Sequence, residues 1–355
     1  MSIHFHALRI KEIQRPTTEC VTIEFEVPDQ LKDQFSFVQG QNLTLKTLLN
    51  GEEIRRSYSI CSAPYENRLM VAVKKVEGGR FSTWANEKLR AGDQIEVLPP
   101  TGKFHTPLNP SASKNYLAFA AGSGITPILS ILKTTLHTEP ESRFTLVYVN
   151  RHRPSIIFLE ELEALKNLYL QRFHYINLLT REQTDAALFH GRLDAQKLRE
   201  LGTLIPYAAQ DEVYICGPET MIFCVKDYLQ NIGIPDSRIH FELFSSMRQP
   251  AVNRPEAGNQ SGEYTLRIIS DGRSFEFSSA GQNSILDDAL AQGADLPYAC
   301  KGGMCCTCKA RLLEGRVEMN VTWGLEPDEI SKGFILTCQA HPVTERVVVD
   351  FDTRG

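Results

Sequence analysis

No stretch of this 355-residue sequence reaches the ~18 consecutive apolar residues that a membrane-spanning helix needs. Its first residues, Met1-Ser2-Ile3-His4-Phe5-His6, lack the positive segment and apolar run of a secretory signal. A cytoplasmic location is therefore expected. Positive charge is not in surplus either: 38 Lys and Arg stand against 43 Asp and Glu, a net charge of −5. That balance offers no basic patch of the kind nucleic acid would require. Internal repeats and a targeting tail are also missing.

Cysteine, by contrast, is plentiful. There are nine, an odd number that cannot all pair, and cytoplasmic thiols rarely form disulfides. Four of them fall between Cys300 and Cys308, a crowding that favours a metal centre. Charge is also unevenly spread. Residues 263–355 hold 14 acidic and 9 basic side chains, so the whole −5 lies there. Two readings stay open: a solvated surface, or a docking face for a basic partner.

The first ~105 residues read as all-β. Val21–Val27 alternates apolar and polar residues, Asn42–Lys46 and Leu69–Val73 are similar, and turns such as Leu49-Asn50-Gly51 separate them. A small barrel or sandwich is expected over 1–107. From 112 to 246 the apolar strands Tyr116–Ala120 and Phe144–Val149 alternate with helical stretches, one of them Ile157–Leu170, and further strands run His174–Leu179 and Glu212–Ile215. That order predicts an α/β unit with a parallel sheet. Residues 247–262 are rich in Pro, Asn, Gln, Gly and Ser and read as a linker. A third unit, 263–355, opens with a hairpin turning at Asp271-Gly272.

The most specific motif is Cys300, Cys305, Cys308 and Cys338. C-x4-C-x2-C with a distant fourth cysteine is plant-type [2Fe–2S] spacing. Gly302 and Gly303 suit a chain that wraps tightly and needs positive φ. Zinc is the alternative, but its sites usually bring two close pairs. Cys306 breaks the spacing and reads as a small buried residue or bystander thiol.

Arg56-Ser57-Tyr58-Ser59 combines a phosphate-holding guanidinium, a ring able to stack on isoalloxazine, and a hydroxyl able to donate to a flavin nitrogen. Gly79-Arg80-Phe81-Ser82 could cradle a pyrophosphate at a helix start, or be a plain turn with Ser82 as a helix cap. Gly122-Ser123-Gly124-Ile125-Thr126-Pro127 follows an apolar strand and opens a helix, where a dinucleotide-binding unit holds its phosphates. After the next strand comes Arg151, with no acid before Glu160. Arginine suits the extra phosphate of NADP, so NADPH is the expected donor; a solvent-exposed basic loop is the bland alternative. Cys20, Cys61 and Cys224 read as structural, although Cys61 is near enough to Ser59 to line the same pocket.

The unit with the four cysteines resembles a plant-type ferredoxin. R-x-Y-S with G-x-x-S, followed by G-x-G-x-x-P and Cys216-Gly217-Pro218-Glu219-Thr220-Met221, resembles the ferredoxin–NADP reductase family with an attached ferredoxin domain. The likeness covers nearly the whole chain apart from the linker. Ala294–Gly303 and Val347–Asp352 extend it to the reductase components of multicomponent oxygenases.

The resemblance implies a flavin barrel, a nucleotide domain and a β-grasp ferredoxin domain. FAD is preferred over FMN, which some relatives use. By carry-over, Arg56 lies on the flavin phosphates, Tyr58 on the ring, Ser59 by the reactive nitrogen, and Gly79 to Ser82 on the pyrophosphate. Gly122, Ser123, Gly124, Thr126 and Pro127 hold the nicotinamide dinucleotide, and Cys216, Gly217 and Pro218 wall the nicotinamide. Glu242 and Phe244 return to the flavin. Tyr58, Ser59 and Cys216 are the expected catalytic residues. The implied partner is an oxygenase with a di-iron centre, docking near the acidic ferredoxin domain. A different electron acceptor is the first alternative. A non-enzymatic iron–sulfur module is the second, and it leaves Arg56–Ser59 and Gly122–Pro127 unexplained.

Overall fold

The computed structural model describes residues 4–184, 186–244 and 263–353, so the expected linker 247–262 lies outside the described residues. The first sheet contains β1 (His6–Thr17), β2 (Cys20–Glu26), β3 (Asn42–Leu49), β4 (Glu52–Ser59), β5 (Leu69–Lys74) and β6 (Gln94–Val97). All its pairings are antiparallel, in the order β4-β3-β6-β1-β2-β5. A bridge between Ile60 and Val71 then ties the end of β4 to β5, so the sheet curls back on itself. Inside it lie alternate residues such as Leu8, Ile10, Ile23, Leu43, Leu45 and Val71. Asn50 and Gly51 take φ of 56° and 78°, the paired left-handed turn that lets β3 and β4 form a tight hairpin. Helix α1 (Arg80–Glu87) plugs one side of the barrel with Phe81 and Ala85.

The second sheet is wholly parallel. It contains β7 (Asn115–Ala121), β8 (Arg143–Asn150), β9 (Phe173–Leu179), β10 (Glu212–Gly217) and β11 (Ile239–Leu243), in the order β11-β10-β7-β8-β9. Helices α2 (Ile125–Thr138) and α3 (Leu159–Leu168) cover one face; α4 (Ala195–Leu201) and α5 (Glu219–Asn231) cover the other. The expected helix over Ile157–Leu170 is shorter at both ends. Phe158, at its N-cap, takes a left-handed φ of 63°, which a helix cannot contain. Strand order reverses between β7 and β10, and in such sheets the crevice at the carboxyl ends of those two strands is the ligand site.

The third sheet pairs β12 (Tyr264–Ser270) and β13 (Arg273–Ser279) through the expected Asp271-Gly272 turn, with φ of 55° and 68°. After α6 (Ile285–Ala291) it adds β14 (Lys309–Glu314), and after the short strand β15 (Val317–Met319) and helix α7 (Pro327–Ser331) it adds β16 (Phe334–Leu336). A second short strand, β17 (Ala340–Pro342), pairs with β15, and β18 (Arg346–Asp350) enters the sheet centre to give β13-β12-β18-β14-β16. Among the described residues no helix is long and apolar enough to cross a membrane.

The barrel and the parallel sheet share one apolar core. Cys20, Cys61, Met70, Ala72 and Phe104 pack against Ile128, Ile131 and Leu132 of α2. Beside it, Lys133 of α2 is 2% exposed and joins Glu66, from the barrel, at 2.9 Å and Glu161, from α3, at 2.8 Å. Burial lowers the Lys133 pKa, but Glu161 and Glu66 more than reverse that, leaving it raised. The stabilisation is therefore complete below the ordinary lysine value of 10.5 and is lost as pH climbs through the raised one. Lys133→Met strands two partly buried carboxylates and should lower stability by about 2–3 kcal/mol, read as a shift in urea midpoint.

Candidate active site

Strand β4 carries the Arg56–Ser59 motif within it, so its four side chains alternate between two faces. Arg56 and Tyr58 point one way. Arg56 is exposed, and the half-buried Tyr58 ring lies 5.5 Å from that of Phe81 on α1. Burial pushes the Tyr58 phenol up. Ser57 and Ser59 point the other way. Asn42, on the neighbouring strand, accepts from the Ser57 hydroxyl at 2.7 Å and fixes its orientation.

Gly79 is the N-cap of α1 and supplies no side-chain oxygen to its first turn, which leaves those amides available to an anion. The expectation of Ser82 as the cap is corrected. Ser82 sits in the first turn, and its hydroxyl accepts from Val76 N at 3.1 Å and donates to Gly79 O at 3.3 Å, closing the preceding loop. Arg80 bonds Glu52 at 2.6 Å and Leu49 O at 3.1 Å, which ties α1 to the β3–β4 turn. An exposed guanidinium, a half-buried phenol ring and an uncapped helix start along one edge fit a flavin nucleotide.

At the switch point, Gly122–Gly124 form a single 3-10 turn between β7 and α2, with Thr126 and Pro127 in the first turn of α2. Gly124 is required by close approach. A Cβ there would lie 2.1 Å from the carbonyl oxygen of Cys216, at the end of β10. The two nucleotide motifs, ~90 residues apart in sequence, thus meet backbone to backbone. Tyr148 donates to Gly122 O at 2.8 Å and braces the turn from below. Cys216 is fully buried, and burial pushes its thiol well up, which suits a wall and not a nucleophile. Pro218 is the N-cap of α5, so a second helix also starts at this crevice. A glycine turn that a Cβ would close, between two helix N-termini, fits a dinucleotide.

Arg151, His152 and Arg153 are exposed just past β8, as a nucleotide-contacting loop would be. The stretch lacks an acid in sequence but not in space. Glu182, from the loop after β9, accepts from Arg153 N at 2.8 Å. Cys61 packs in the core between barrel and parallel sheet and bonds Met70 O.

Glu242 is placed in β11 by its register with Cys216 and is 9% exposed. It accepts from Ser59 Oγ at 2.9 Å, so the barrel and the parallel sheet meet here in a buried hydrogen bond. Burial raises its carboxyl to about 7; the Ser59 hydroxyl opposes the rise and the Cys300 thiol adds to it. Phe244 is 43% exposed beyond β11.

Of the four expected ligands, Cys305, Cys308 and Cys338 are buried and Cys300 is half-buried. The Cys305 thiol holds Cys300 down at about 5, and pairing raises Cys305 and Cys308 in turn. No three His, Cys, Asp or Glu side chains among the described residues surround one point. The C-x4-C-x2-C spacing with the distant Cys338 fits a two-iron cluster better than a zinc ion. The loop coils through positive φ at Lys301, Gly303 and Cys306, so only one of its two glycines takes the strained conformation. Gly303 has no alternative, since a Cβ would strike Val321 at 2.5 Å. Gly302 N donates to Cys300 Sγ at 3.3 Å. Cys306 points away to Gly324 O at 2.6 Å, and burial raises its thiol to about 12.

These features define a flavin- and iron–sulfur-containing oxidoreductase with a nucleotide site at its centre. Family models agree along the chain: an oxidoreductase FAD-binding domain matches residues 7–106, an oxidoreductase NAD-binding domain 119–227, and a 2Fe-2S iron-sulfur cluster binding domain 268–343. The chain belongs to the ferredoxin–NADP reductase family, in the form that carries its own ferredoxin domain, and its cofactors are FAD, NAD(P)H and a [2Fe–2S] cluster. It is 46% identical to one of the subunits of 1,2-phenylacetyl-CoA epoxidase from Escherichia coli (strain K12), over 99% of both chains. Identity is 35% to the ferredoxin reductase component of 3-ketosteroid-9-alpha-monooxygenase from Rhodococcus rhodochrous, over 97% of this chain and 96% of that one. Phthalate dioxygenase reductase, described as a modular structure for electron transfer from pyridine nucleotides to [2Fe–2S], superposes with a TM-score of 0.57 at 26% identity, over 98% of both chains.

Sequence reasoning missed Asn42, Tyr148 and Glu182, which act through space and carry no local motif. Replacing Gly124 by alanine should weaken NADPH binding about tenfold or more in a nucleotide titration, because β10 and α2 must separate. The flavin absorbance should be unchanged.

Proposed function

We propose that this protein carries electrons from NADPH through FAD and the [2Fe–2S] cluster to the di-iron oxygenase that epoxidises the ring of phenylacetyl-CoA. The observation that carries the reading is the meeting of the three units around one strand pair: Ser59 of the barrel on Glu242 of the parallel sheet at 2.9 Å, and Thr44 of the barrel 3.4 Å from Thr307 of the cluster loop. The likeness to the Escherichia coli epoxidase component supports the choice of acceptor. Other oxygenases are the alternative, since the Rhodococcus relative serves a ketosteroid monooxygenase. The oxygenase docks near the acidic iron–sulfur module. Unpaired cysteines suit the reducing cytoplasm.

We divide the chain into a flavin unit, 1–107, a nucleotide unit, 112–246, and an iron–sulfur unit, 263–355. Bound flavin supplies the conversion of a hydride's paired electrons into the single electrons a cluster accepts. The chain's own residues do the positioning. Arg56 holds phosphate, Tyr58 covers the ring, Ser59 lies by its reactive edge, and the amides after Gly79 take the pyrophosphate. Gly122 to Pro127 take the phosphates of the nicotinamide dinucleotide. Cys216 to Pro218 press the nicotinamide toward Ser59 and exclude water. Cys300, Cys305, Cys308 and Cys338 ligate the irons.

Arg151 is the proposed contact for the 2′-phosphate. Glu182 favours a second reading, NADH, because a carboxylate beside this loop can take ribose hydroxyls. Arg151→Glu should raise the Kd for NADPH by about tenfold or more and leave that for NADH nearly unchanged. Equal losses would remove the phosphate role and leave NADH.

The function is tested by the visible spectrum of the anaerobic protein before and after NADPH. Flavin and cluster bands should both bleach. In Cys338→Ser the cluster bands should vanish while flavin bleaching persists. A protein that binds neither chromophore after reconstitution is not a reductase.

A further inference from the structure

One face of the β3–β4 ribbon is built as a seat for the iron–sulfur module. In the antiparallel register Lys46 lies opposite Arg55, Thr44 opposite Ser57, and Asn42 opposite Ser59, and side chains directly opposite share a face. This is the face turned away from Arg56 and Tyr58. Thr44 and Thr307 are 1% and 0% exposed, and their hydroxyls lie 3.4 Å apart. Thr307 sits between Cys305 and Cys308, so the cluster loop itself touches the barrel.

Arg55 holds the centre of this seat. Its guanidinium is 7% exposed, unusual for a charge on a strand surface. Nη1 donates to Leu296 O at 3.0 Å, and the same plane lies 4.3 Å from the Tyr298 ring. Glu53 neutralises Nε at 2.7 Å, and Phe5 closes the other side at 5.0 Å. Leu296 and Tyr298 lie just before Cys300 in the chain. Other contacts lie around it. Asp295 is 95% exposed where it meets Arg55 at 3.5 Å, so solvent screens it. Lys103, from the barrel, reaches the buried Glu329 at 2.7 Å. A buried arginine that stacks and donates at an interface centre is the usual energetic anchor of such contacts.

We propose that Arg55 is the positioning residue that fixes the [2Fe–2S] loop against the flavin barrel, and so sets the rate at which single electrons reach the cluster. The inference rests on the reductase reading above and adds to it the residue that governs one internal step. That step moves one electron at a time, oxidising the flavin side by one electron and reducing one ferric iron to ferrous, with no bond made or broken. Arg55 touches neither chromophore site; it acts through Leu296 and Tyr298.

The test uses the full-length holoprotein and Arg55→Ala. Stopped-flow spectra with NADPH should show flavin bleaching at the unmodified rate and cluster bleaching slowed about tenfold or more, since small misplacements cost large factors. Amide hydrogen exchange in 42–46 and 296–300 should rise, while the EPR signal of the chemically reduced cluster stays the same. Unchanged exchange with unchanged cluster bleaching would overturn the proposal. If Arg55→Ala does not fold, Tyr298→Leu removes the ring beneath the guanidinium and carries the same outcomes. Failure of the parent reading looks different: the unmodified protein would itself show no bleaching with NADPH.

Discussion

The two-residue period of strand β4 is the constraint on which this molecule depends. A strand must send successive side chains to opposite faces. One short run therefore serves two neighbours at once. Arg56 and Tyr58 face α1 and the phosphate-ready helix start, while Arg55, Ser57 and Ser59 face the cluster loop and Glu242. A slip of one residue would exchange the two sets. The Asn50-Gly51 turn and the eight-residue register with β3 prevent that slip.

Around that strand the three sheets are joined by different kinds of interaction. Barrel and parallel sheet share an apolar core and the buried Lys133 trio. The iron–sulfur module instead meets the barrel through a hydroxyl pair, a stacked guanidinium and the Lys103–Glu329 ion pair. Trp323 and Phe223 add an aromatic contact to the parallel sheet, with ring centroids 6.2 Å apart. Polar seats of this kind are typical of surfaces that must also separate. The division matches what an electron carrier needs: a rigid site for hydride transfer and a module held by fewer bonds.

Several features were legible in sequence because their causes are local. Asp271-Gly272 dictates a left-handed turn whatever surrounds it, and the hairpin is where the residues place it. The apolar runs of β7 and β8 must be buried on both faces, hence a parallel sheet. Other features were misread or unseen because they depend on neighbours distant in the chain. Ser82 has the composition of a cap, but the Val76 amide claims its hydroxyl. The Arg151 loop looks free of acids until the β9 loop brings Glu182 beside it. Lys301 and Cys306 carry positive φ, which composition would have assigned to glycine alone.

The sequence by itself determined the chemistry: four cysteines at cluster spacing, a glycine turn after an apolar strand, and an arginine, a tyrosine and a serine on one short run. Residue type and spacing along the chain decide these, since ligand donors and turn conformations act over a few residues. Tertiary structure alone decided how the sites face one another. Gly124 matters because the Cys216 carbonyl arrives 2.1 Å from where its Cβ would be. Ser59 and Glu242 meet across 183 positions, and Arg55 reaches Leu296 across 241. Such contacts arise only when separate sheets bury their faces together, and burial is a property of the packed whole that no local pattern encodes.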